Sequence, residues 1–306
     1  MIHYLYLGRV GYGDALKLQN ELVELRRDHR IGNVLLLLEH PPVLTLGRNA
    51  DRSNILASDE LLARSGVTIH EINRGGDVTY HGPGQLVGYP IFDLRSLKNA
   101  SGGRLGPVDF VRMIEEALIR LCGVYGVRAG RIAGLTGVWC PPRWGRTLDK
   151  SCERSAKDKP AGERKIGAIG IHVSRGITSH GFAFNVTTDL GDFQLINPCG
   201  ITDRPVTSLA REVADAAALP ALESIAHQAA RQFGNVFGEQ VLAVEDLAAL
   251  RGQAAAAPAA QVELAAPKAQ LAPPQVAPPQ GPEDTPLQIP REVGRLHGEA
   301  ERPVRA

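Results

Sequence analysis

The chain lacks any apolar run long enough to span a membrane. Its longest uninterrupted apolar stretch among 306 residues is Val34–Leu38, whereas a spanning helix needs roughly 18 or more. The first residues, MIHYLYLGRVGYG, show neither the basic start nor the apolar core of a signal peptide. The formal net charge is only +1. We therefore expect no membrane binding and no nucleic-acid binding.

Cysteine is also scarce, with four residues and no C-x-x-C pair. Few scattered thiols without an export signal indicate a reducing compartment, so we expect a cytoplasmic protein with free thiols. Cys122 falls on the apolar face of a predicted helix and is interpreted as packing. Cys140 ends a strand and is ambiguous, and Cys152 lies in a charged segment. Cys199 stands between Pro198 and Gly200, on a turn that presents its sulfur.

Two segments lack the apolar periodicity of a folded core. Residues 253–306 contain ten prolines and no aromatic residue, which is typical of an extended, disordered tail. Residues 141–164 contain eleven charged residues among 24 and indicate a long surface loop. We therefore predict a folded domain over residues 1–250 that carries this loop, and a Pro/Ala-rich tail over residues 251–306.

Helical and strand-like patterns alternate within the predicted domain. Strands come in runs between the helices, with glycine-rich turns, which predicts an α+β (mixed α/β) fold with largely antiparallel pairing. We expect Asp109 to cap the second helix. The predicted helices cover about 13–30, 109–125 and 220–237, and the predicted strands cover about 33–40, 43–46, 67–72, 86–94, 127–140, 165–173 and 181–188.

The segment from Arg74 to Gln85, RGGDVTYHGPGQ, has four glycines and one proline in twelve residues. Such a loop lets a ligand lie against the main chain while Arg74, Thr79, Tyr80 and His81 supply polar groups. An ordinary hairpin loop with a few polar residues is the alternative. The spacing matches neither a P-loop nor a dinucleotide-binding glycine pattern, so phosphate binding is not indicated.

Two strand-like segments and one turn complete the set of candidates. Lys165 heads the stretch KIGAIGIH, whose small residues leave room for a slender apolar group; a solvated strand end is the alternative interpretation. The stretch GFAFNV from Gly181 alternates as a half-buried strand does. The turn NPCGI carries Cys199, and a buried, unreactive thiol is the alternative there.

Taken together, these segments resemble the octanoyltransferase family of lipoate biosynthesis, also called lipoyl(octanoyl) transferases. RGGDVTYHGPGQL, KIGAIGIHVSRGITSHGFAFNV, NPCGI and the early HPPVLTLGR carry the resemblance, which covers about residues 3–240. Asp77 stands where a glutamine is usual in the family. The long 141–164 loop and the tail are further departures.

The resemblance implies the fold of lipoate and biotin protein ligases, a mixed sheet flanked by helices. It also implies transfer of octanoyl from acyl carrier protein to Cys199, then to a lysine of lipoyl domains of 2-oxoacid dehydrogenases or of the glycine-cleavage H protein. No metal, ATP or other cofactor is required. By this resemblance Cys199 and Lys165 are catalytic, and the acyl-binding residues are Arg74, Gly75, Gly76, Asp77, Val78, Thr79, Tyr80, His81, Ala168, Ile169, Gly170, Gly181, Phe182 and Ala183.

Three questions stay open on the sequence alone. His81 competes with Lys165 as the base that takes up a proton from the incoming amine. An ATP-dependent lipoate or biotin-type ligase on the same fold is the alternative enzyme. A non-catalytic module that binds carrier proteins is the alternative from another class.

Overall fold

An eight-stranded mixed sheet forms the centre of the protein in a computed structural model, which describes residues 1–99, 102–142, 162–198 and 204–256. The strands are β1 Ile2–Arg9, β2 Asn33–Glu39, β3 Val43–Leu46, β4 Thr68–Glu71, β5 Val78–His81, β6 Gln85–Ile91, β7 Gly130–Ile132, β8 Leu135–Cys140, β9 Arg164–Ser174, β10 Ile177–Asn185 and β11 Val241–Ala243. The helices are α1 Tyr12–Arg27, α2 Asp59–Arg64, α3 Pro107–Val124, α4 Leu209–Glu212, α5 Leu222–Phe237 and α6 Leu247–Ala256.

The large sheet has the strand order β11-β1-β2-β6-β10-β9-β8-β7. Its first three strands are parallel, and every later pair is antiparallel. A smaller sheet has the order β4-β3-β5, with β4 parallel and β5 antiparallel to β3. The predicted fold class and the prediction of largely antiparallel pairing are confirmed.

Helices cover both faces of the large sheet, and β2 shows why. Successive strand side chains point to opposite faces. Leu35 and Leu37 pack in the core that contains α3 and α5, while Leu36 and Leu38 pack in the core that contains α1. Because both faces are covered, the strand reads as a continuous apolar run instead of an alternating one.

The helix α3 begins earlier than predicted. Its N-cap is Gly106 and Pro107 opens the first turn, whereas Asp109 lies inside that turn. The prediction that Asp109 caps the helix is therefore wrong, because proline at the first helical position sets the start. The predicted inward face is confirmed: Phe110 and Cys122 are fully buried.

Three strands, β1, β5 and the short β11, are absent from the predicted elements. β1 lacks a clean alternation of buried and exposed side chains, and β5 lies inside the glycine-rich segment that we interpreted as a loop. At the other end, α6 continues past residue 250, and its Leu250 and Ala254 are buried. All described residues belong to one compact unit, Met1–Gln261. None of the helices in the described ranges combines the length and hydropathy that a bilayer crossing demands.

A fully buried carboxylate joins α3 to β8. Glu115 is 0% exposed and accepts hydrogen bonds from Arg112 at 2.6 Å, from Arg131 at 3.0 Å and from the backbone N–H of Gly137 at 3.0 Å. Because a buried charge without partners is costly, these three donors make the carboxylate compatible with the core.

We expect Glu115→Gln to lower the free energy of unfolding by about 1–3 kcal/mol, since the amide cannot satisfy all three donors. Urea denaturation measures the loss. Glu116→Gln is the matched control, because Glu116 also pairs with Arg131 but is one-third exposed; its cost should stay below about 1 kcal/mol. Equal losses in the two variants would contradict this account of Glu115.

Candidate functional site

A cavity of about 370 Å³ lies where β5 and the loop before it face β9 and β10. Its walls come from both sheets and from the starts of α1 and β8. The lining residues are Tyr12, Arg74, Gly75, Gly76, Thr79, His81, Tyr89, Val111, Gly134, Leu135, Thr136, Lys165, Ala168, Ile169, Gly170, Ile171, His180, Gly181, Phe182 and Ala183.

The structure brings together most of the residues that the sequence singled out. Asp77, Val78 and Tyr80 do not line the cavity, and Cys199 lies outside the described residues. The predicted residues that line it are Arg74, Gly75, Gly76, Thr79, His81, Lys165, Ala168, Ile169, Gly170, Gly181, Phe182 and Ala183.

The alternation of β5 divides the predicted motif into two groups. Thr79 and His81 point into the cavity, whereas Val78 and Tyr80 point into a separate core beside Leu44 and Phe193. The prediction of a loop over this segment is wrong because four of its residues pair with β3 as a strand. The expectation that Val78 and Tyr80 contact the ligand conflicts with this placement, because a strand directs neighbouring side chains to opposite faces.

Close backbone contacts at glycine residues shape the cavity wall. The N–H of Gly75 donates to the carbonyl of Ile171 at 2.9 Å. A Cβ at Gly170 would lie 2.7 Å from the Gly75 carbonyl oxygen, and a Cβ at Gly181 would collide with the Gly88 carbonyl. Glycine is required at these positions because a side chain would push the walls apart.

Lys165 is buried at the start of β9, with 9% of its surface exposed, so it is not a solvated strand end. Its backbone is held on both sides: its N–H donates to Pro205 at 2.9 Å, and its carbonyl accepts from Thr207 at 2.8 Å. The ammonium lies 4.8 Å from the centroid of the Trp139 ring, which is a cation–π distance.

A second, much smaller cavity of about 20 Å³ adjoins Lys165. Pro198, Phe193 and Val206 line it together with Lys165 and Ala183. The described chain on either side of residues 199–203 therefore lies next to Lys165.

Arg74 sits between the two sheets and is 8% exposed. It donates to the carbonyl of Thr45 at 2.6 Å, to the Thr45 hydroxyl at 2.9 Å and to the carbonyl of Gly75 at 3.1 Å. These bonds fix the guanidinium at the cavity wall.

Three buried histidines near Arg74 are held in the neutral form. Burial lowers the pKa of His81 to about 3, helped by repulsion from His40 and Arg74. Burial likewise lowers the pKa of His40 to about 4 and that of His180 to about 4. His40 contacts the Tyr89 hydroxyl at 2.7 Å. The two of these histidines that line the cavity, His81 and His180, are therefore uncharged near neutral pH.

Several cavity residues were not predicted. Tyr12 and Tyr89 carry no motif signal, because they come from the start of α1 and from β6. His180 lies directly before the predicted Gly181, and its left-handed backbone (φ 56°) marks it as a strained position within β10. Its Nε2 contacts Asn73 at 2.7 Å, and its buried Nδ1 has no hydrogen-bond partner among the residues that the structure describes.

Within the described ranges, no three His, Cys, Asp or Glu side chains are grouped so that they could bind a metal ion. The cavity instead combines an apolar wall from Ile169, Phe182 and Leu135 with the basic side chains of Arg74 and Lys165 and with hydrogen-bonding groups. Such a site suits an apolar chain that ends in a polar, reactive group.

Among solved structures, the chain has the fold of lipoate protein ligases. The bipartite lipoate protein ligase of Thermoplasma acidophilum matches with a TM-score of 0.57 at 15% identity, covering 83% of this chain and 91% of that one. At this identity the likeness shows the fold alone.

The sequence profile of the lipoyl protein ligase A/B catalytic domain matches residues 11–233. An octanoyltransferase of Acidobacterium capsulatum is 61% identical, over 80% of this chain and 94% of the relative. An octanoyltransferase of Koribacter versatilis is 51% identical, over 81% of this chain and 88% of the relative. The chain therefore belongs to the lipoyl protein ligase A/B catalytic domain family, and the resemblance seen in the sequence is confirmed.

The buried histidines predict a loss of stability in acid. Their pKa values of about 3 to 4 lie below the value of about 6.5 in an unfolded chain, so unfolding takes up protons between these limits. Their contribution is complete above about pH 6.5 and is lost as the pH falls toward 4. We expect roughly 1–2 kcal/mol of loss per buried histidine between pH 7 and pH 5, measured by urea unfolding at both values.

His180→Asn should reduce that loss, because asparagine tolerates the left-handed backbone but does not titrate. His29→Asn is the matched control, since His29 is exposed and has a similar φ of 58°. If both variants keep the full pH dependence of the parent protein, burial of His180 is not its source.

Proposed function

We propose that this protein is an octanoyltransferase that moves an octanoyl group from acyl carrier protein to a lysine amine of a lipoyl domain. The observation that carries the proposal is the position of Lys165. It is buried at the wall of a cavity lined by small and apolar residues, and Pro198, which is covalently joined to Cys199, lines the adjoining small cavity. The octanoyltransferases at 61% and 51% identity support the same activity.

The reaction proceeds in two transfers through Cys199. The thiolate attacks the carrier's thioester carbonyl, a new thioester forms on Cys199, and the carrier's sulfur leaves with a proton taken from the Lys165 ammonium, which becomes neutral. The lysine amine of the acceptor then attacks that thioester, an amide forms, and the Cys199 thiol is released. Exchange between thioesters is nearly neutral in free energy and amide formation is downhill, so the donor arrives already activated.

Lys165 has two roles in this scheme. A free cysteine has a pKa near 8.5 and is mostly protonated at neutral pH, whereas a neighbouring ammonium stabilises the thiolate. Once neutral, the same lysine can accept a proton from the incoming amine. Both roles need Lys165 beside Cys199, and the placement of Pro198 supports that proximity.

His81 is a weaker candidate for the base. A histidine with a pKa of about 3 has little affinity for a proton at neutral pH. Its Nδ1 already contacts Gln85 at 2.8 Å, and its Nε2 faces the Thr45 hydroxyl at 3.4 Å. These contacts favour a neutral, hydrogen-bonding role for His81 at the cavity wall.

The cavity accounts for the acyl chain. Burial of each CH₂ contributes about 0.8 kcal/mol, so a chain of this length gains several kcal/mol from the wall of Ala168, Ile169, Phe182 and Ala183. Gly170 allows the loop at Gly75 to pack closely against this wall, because a larger residue would collide with the Gly75 carbonyl. No nucleotide is needed for this reaction, and the relatives at 61% and 51% identity, both octanoyltransferases, favour it over the ligase alternative.

Acyl carrier protein is the inferred donor, and lipoyl domains and the glycine-cleavage H protein are the inferred acceptors. The cytoplasm is the inferred location, where both kinds of partner and reduced thiols are present. The inferred catalytic domain covers residues 1–250, and α6 carries its core past that boundary to the buried Ala254. A purely carrier-binding module would not need a lysine buried beside the cavity.

Incubation with octanoyl carrier protein should add one octanoyl mass to the protein, at Cys199 by peptide mapping. We expect Cys199→Ser to abolish both the adduct and transfer to a lipoyl domain. Lys165→Met should slow transfer by at least about 100-fold, because it removes the charge and the base together. Intact-mass spectrometry and a gel-shift assay of the lipoyl domain measure the two steps.

Cys122→Ser serves as the control, because Cys122 is fully buried and burial raises the pKa of its thiol far from neutrality. An adduct that maps to another cysteine, or full transfer by Cys199→Ser, would overturn the mechanism. Labelling that requires ATP and free octanoate would favour the ligase.

The wall formed by Gly170 predicts a binding defect. A Cβ there would lie 2.7 Å from the Gly75 carbonyl and 3.2 Å from the Arg74 side chain. We expect Gly170→Ala to raise KM for octanoyl carrier protein by roughly tenfold, since overpacking typically costs 1–3 kcal/mol. Gly130→Ala is the control, because a Cβ at that position meets nothing within 4 Å. An unchanged KM in Gly170→Ala would show that this wall does not limit binding.

A further inference from the structure

Asp77 and Tyr80 belong to the glycine-rich motif but do not line the cavity. We propose that both are positioning residues. They hold residues 189–198 in place beside Lys165 and thereby determine the position of Pro198, the residue before Cys199. This inference rests on the proposed function. It assigns the two residues a role in the acyl-transfer step without contact with the acyl chain.

Tyr80 forms the first link. Its side chain is fully buried, and its hydroxyl donates to the Asp192 carboxylate at 2.5 Å. Its ring packs edge-on against Phe193, with the centroids 5.5 Å apart. Asp192 and Phe193 belong to the 3₁₀ turn Leu190–Leu195, so one side chain holds two neighbouring residues of that turn.

Gly82 makes this link possible. A Cβ at Gly82 would collide with the Tyr80 hydroxyl, so the tyrosine side chain folds directly over the glycine. Burial and the Asp192 carboxylate raise the pKa of Tyr80 well above its ordinary value. The hydroxyl therefore stays protonated as a donor at every pH at which the enzyme works.

Asp77 forms the second link, from the other end of β5. Its Oδ1 accepts from the backbone N–H groups of Asp51 at 3.0 Å and Val78 at 2.7 Å, and its Oδ2 accepts from the Asn54 side chain at 2.6 Å. The Asn54 carbonyl in turn accepts from the N–H of Asn197 at 2.7 Å. The carboxylate thus holds the loop that holds Asn197.

The two links meet at the small cavity. Asn197 precedes Pro198, which lines that cavity with Phe193 and Lys165. The first link fixes Phe193, and the second fixes the residue before Pro198. Movement of either would change the position of Pro198 relative to the lysine, and therefore the separation of the reacting groups, on which transfer rates depend steeply.

Tyr80→Phe tests the first link, since it removes the hydroxyl and keeps the ring. We expect kcat for octanoyl transfer to fall roughly tenfold, the usual effect of losing a hydrogen bond to a charged group, while KM for the donor changes by less than about twofold. Asp192→Asn should retain most of the activity, because its amide oxygen still accepts from Tyr80, whereas Asp192→Ala should match Tyr80→Phe.

Tyr4→Phe is the matched control, because it removes a tyrosine hydroxyl that contacts His227 at 3.1 Å on another part of the sheet. For the second link, Asp77→Ala should lower kcat by roughly tenfold, and Asp77→Asn should restore part of it. Thermal unfolding of each variant separates a loss of fold from a loss of rate.

The outcomes distinguish this inference from the proposed function. If the parent protein forms no octanoyl adduct at Cys199, the proposed function fails. If the parent protein transfers octanoyl but Tyr80→Phe and Asp77→Ala keep the kcat of Tyr4→Phe, the positioning role is overturned and the function stands. Equal loss in kcat for Asp192→Asn and Asp192→Ala would also contradict the role of the hydrogen bond.

Discussion

The site depends on the close contact between two backbones, the loop at Gly75 and the strand at residues 170–171. The Gly75 N–H donates to the Ile171 carbonyl. The Gly75 carbonyl lies close to Gly170, where a side chain would collide with it. This contact ties the three-stranded sheet to the large one and forms the cavity in the space between them. Without it, Arg74, Thr79 and His81 would not face β9.

The same contact determines the electrostatics of the site. It buries Arg74 and the histidines, and burial disfavours charge on a histidine. The buried guanidinium of Arg74 donates hydrogen bonds to the backbone and side chain of Thr45. Lys165 lies against the Trp139 ring, where an ammonium gains a cation–π interaction while it is shielded from water. The cavity wall thus combines neutral histidines with the side chains of Arg74 and Lys165.

Local periodicity predicted the elements whose two faces differ clearly or are both buried. Examples are the apolar run of β2, with Val34–Leu38 fully buried, and the face of α3. It failed for β5, because glycines on either side of Val78–His81 dominate the pattern and conceal four strand residues. Local periodicity could not identify Tyr12 or Tyr89 as cavity residues, because they reach the cavity through contacts between elements that are distant in sequence. Arg74 and Gly170 could be predicted as site residues, because close backbone contacts require glycine and both residues lie in glycine-rich segments.

The strand hidden in the glycine-rich motif explains why so many unlike residues share one segment. Along β5, Thr79 and His81 face the cavity, and Val78 and Tyr80 face the core on the other side. A shift of one residue in the pairing of β5 with β3 would exchange the two groups of side chains. The register of β5 therefore determines which side chains reach the cavity. Because one face of β5 lines the cavity and the other packs in the core, we expect few substitutions to be tolerated on either face. Asp77 lies just outside the strand, where the alternation of faces no longer constrains its side chain, and its carboxylate accepts from three donors.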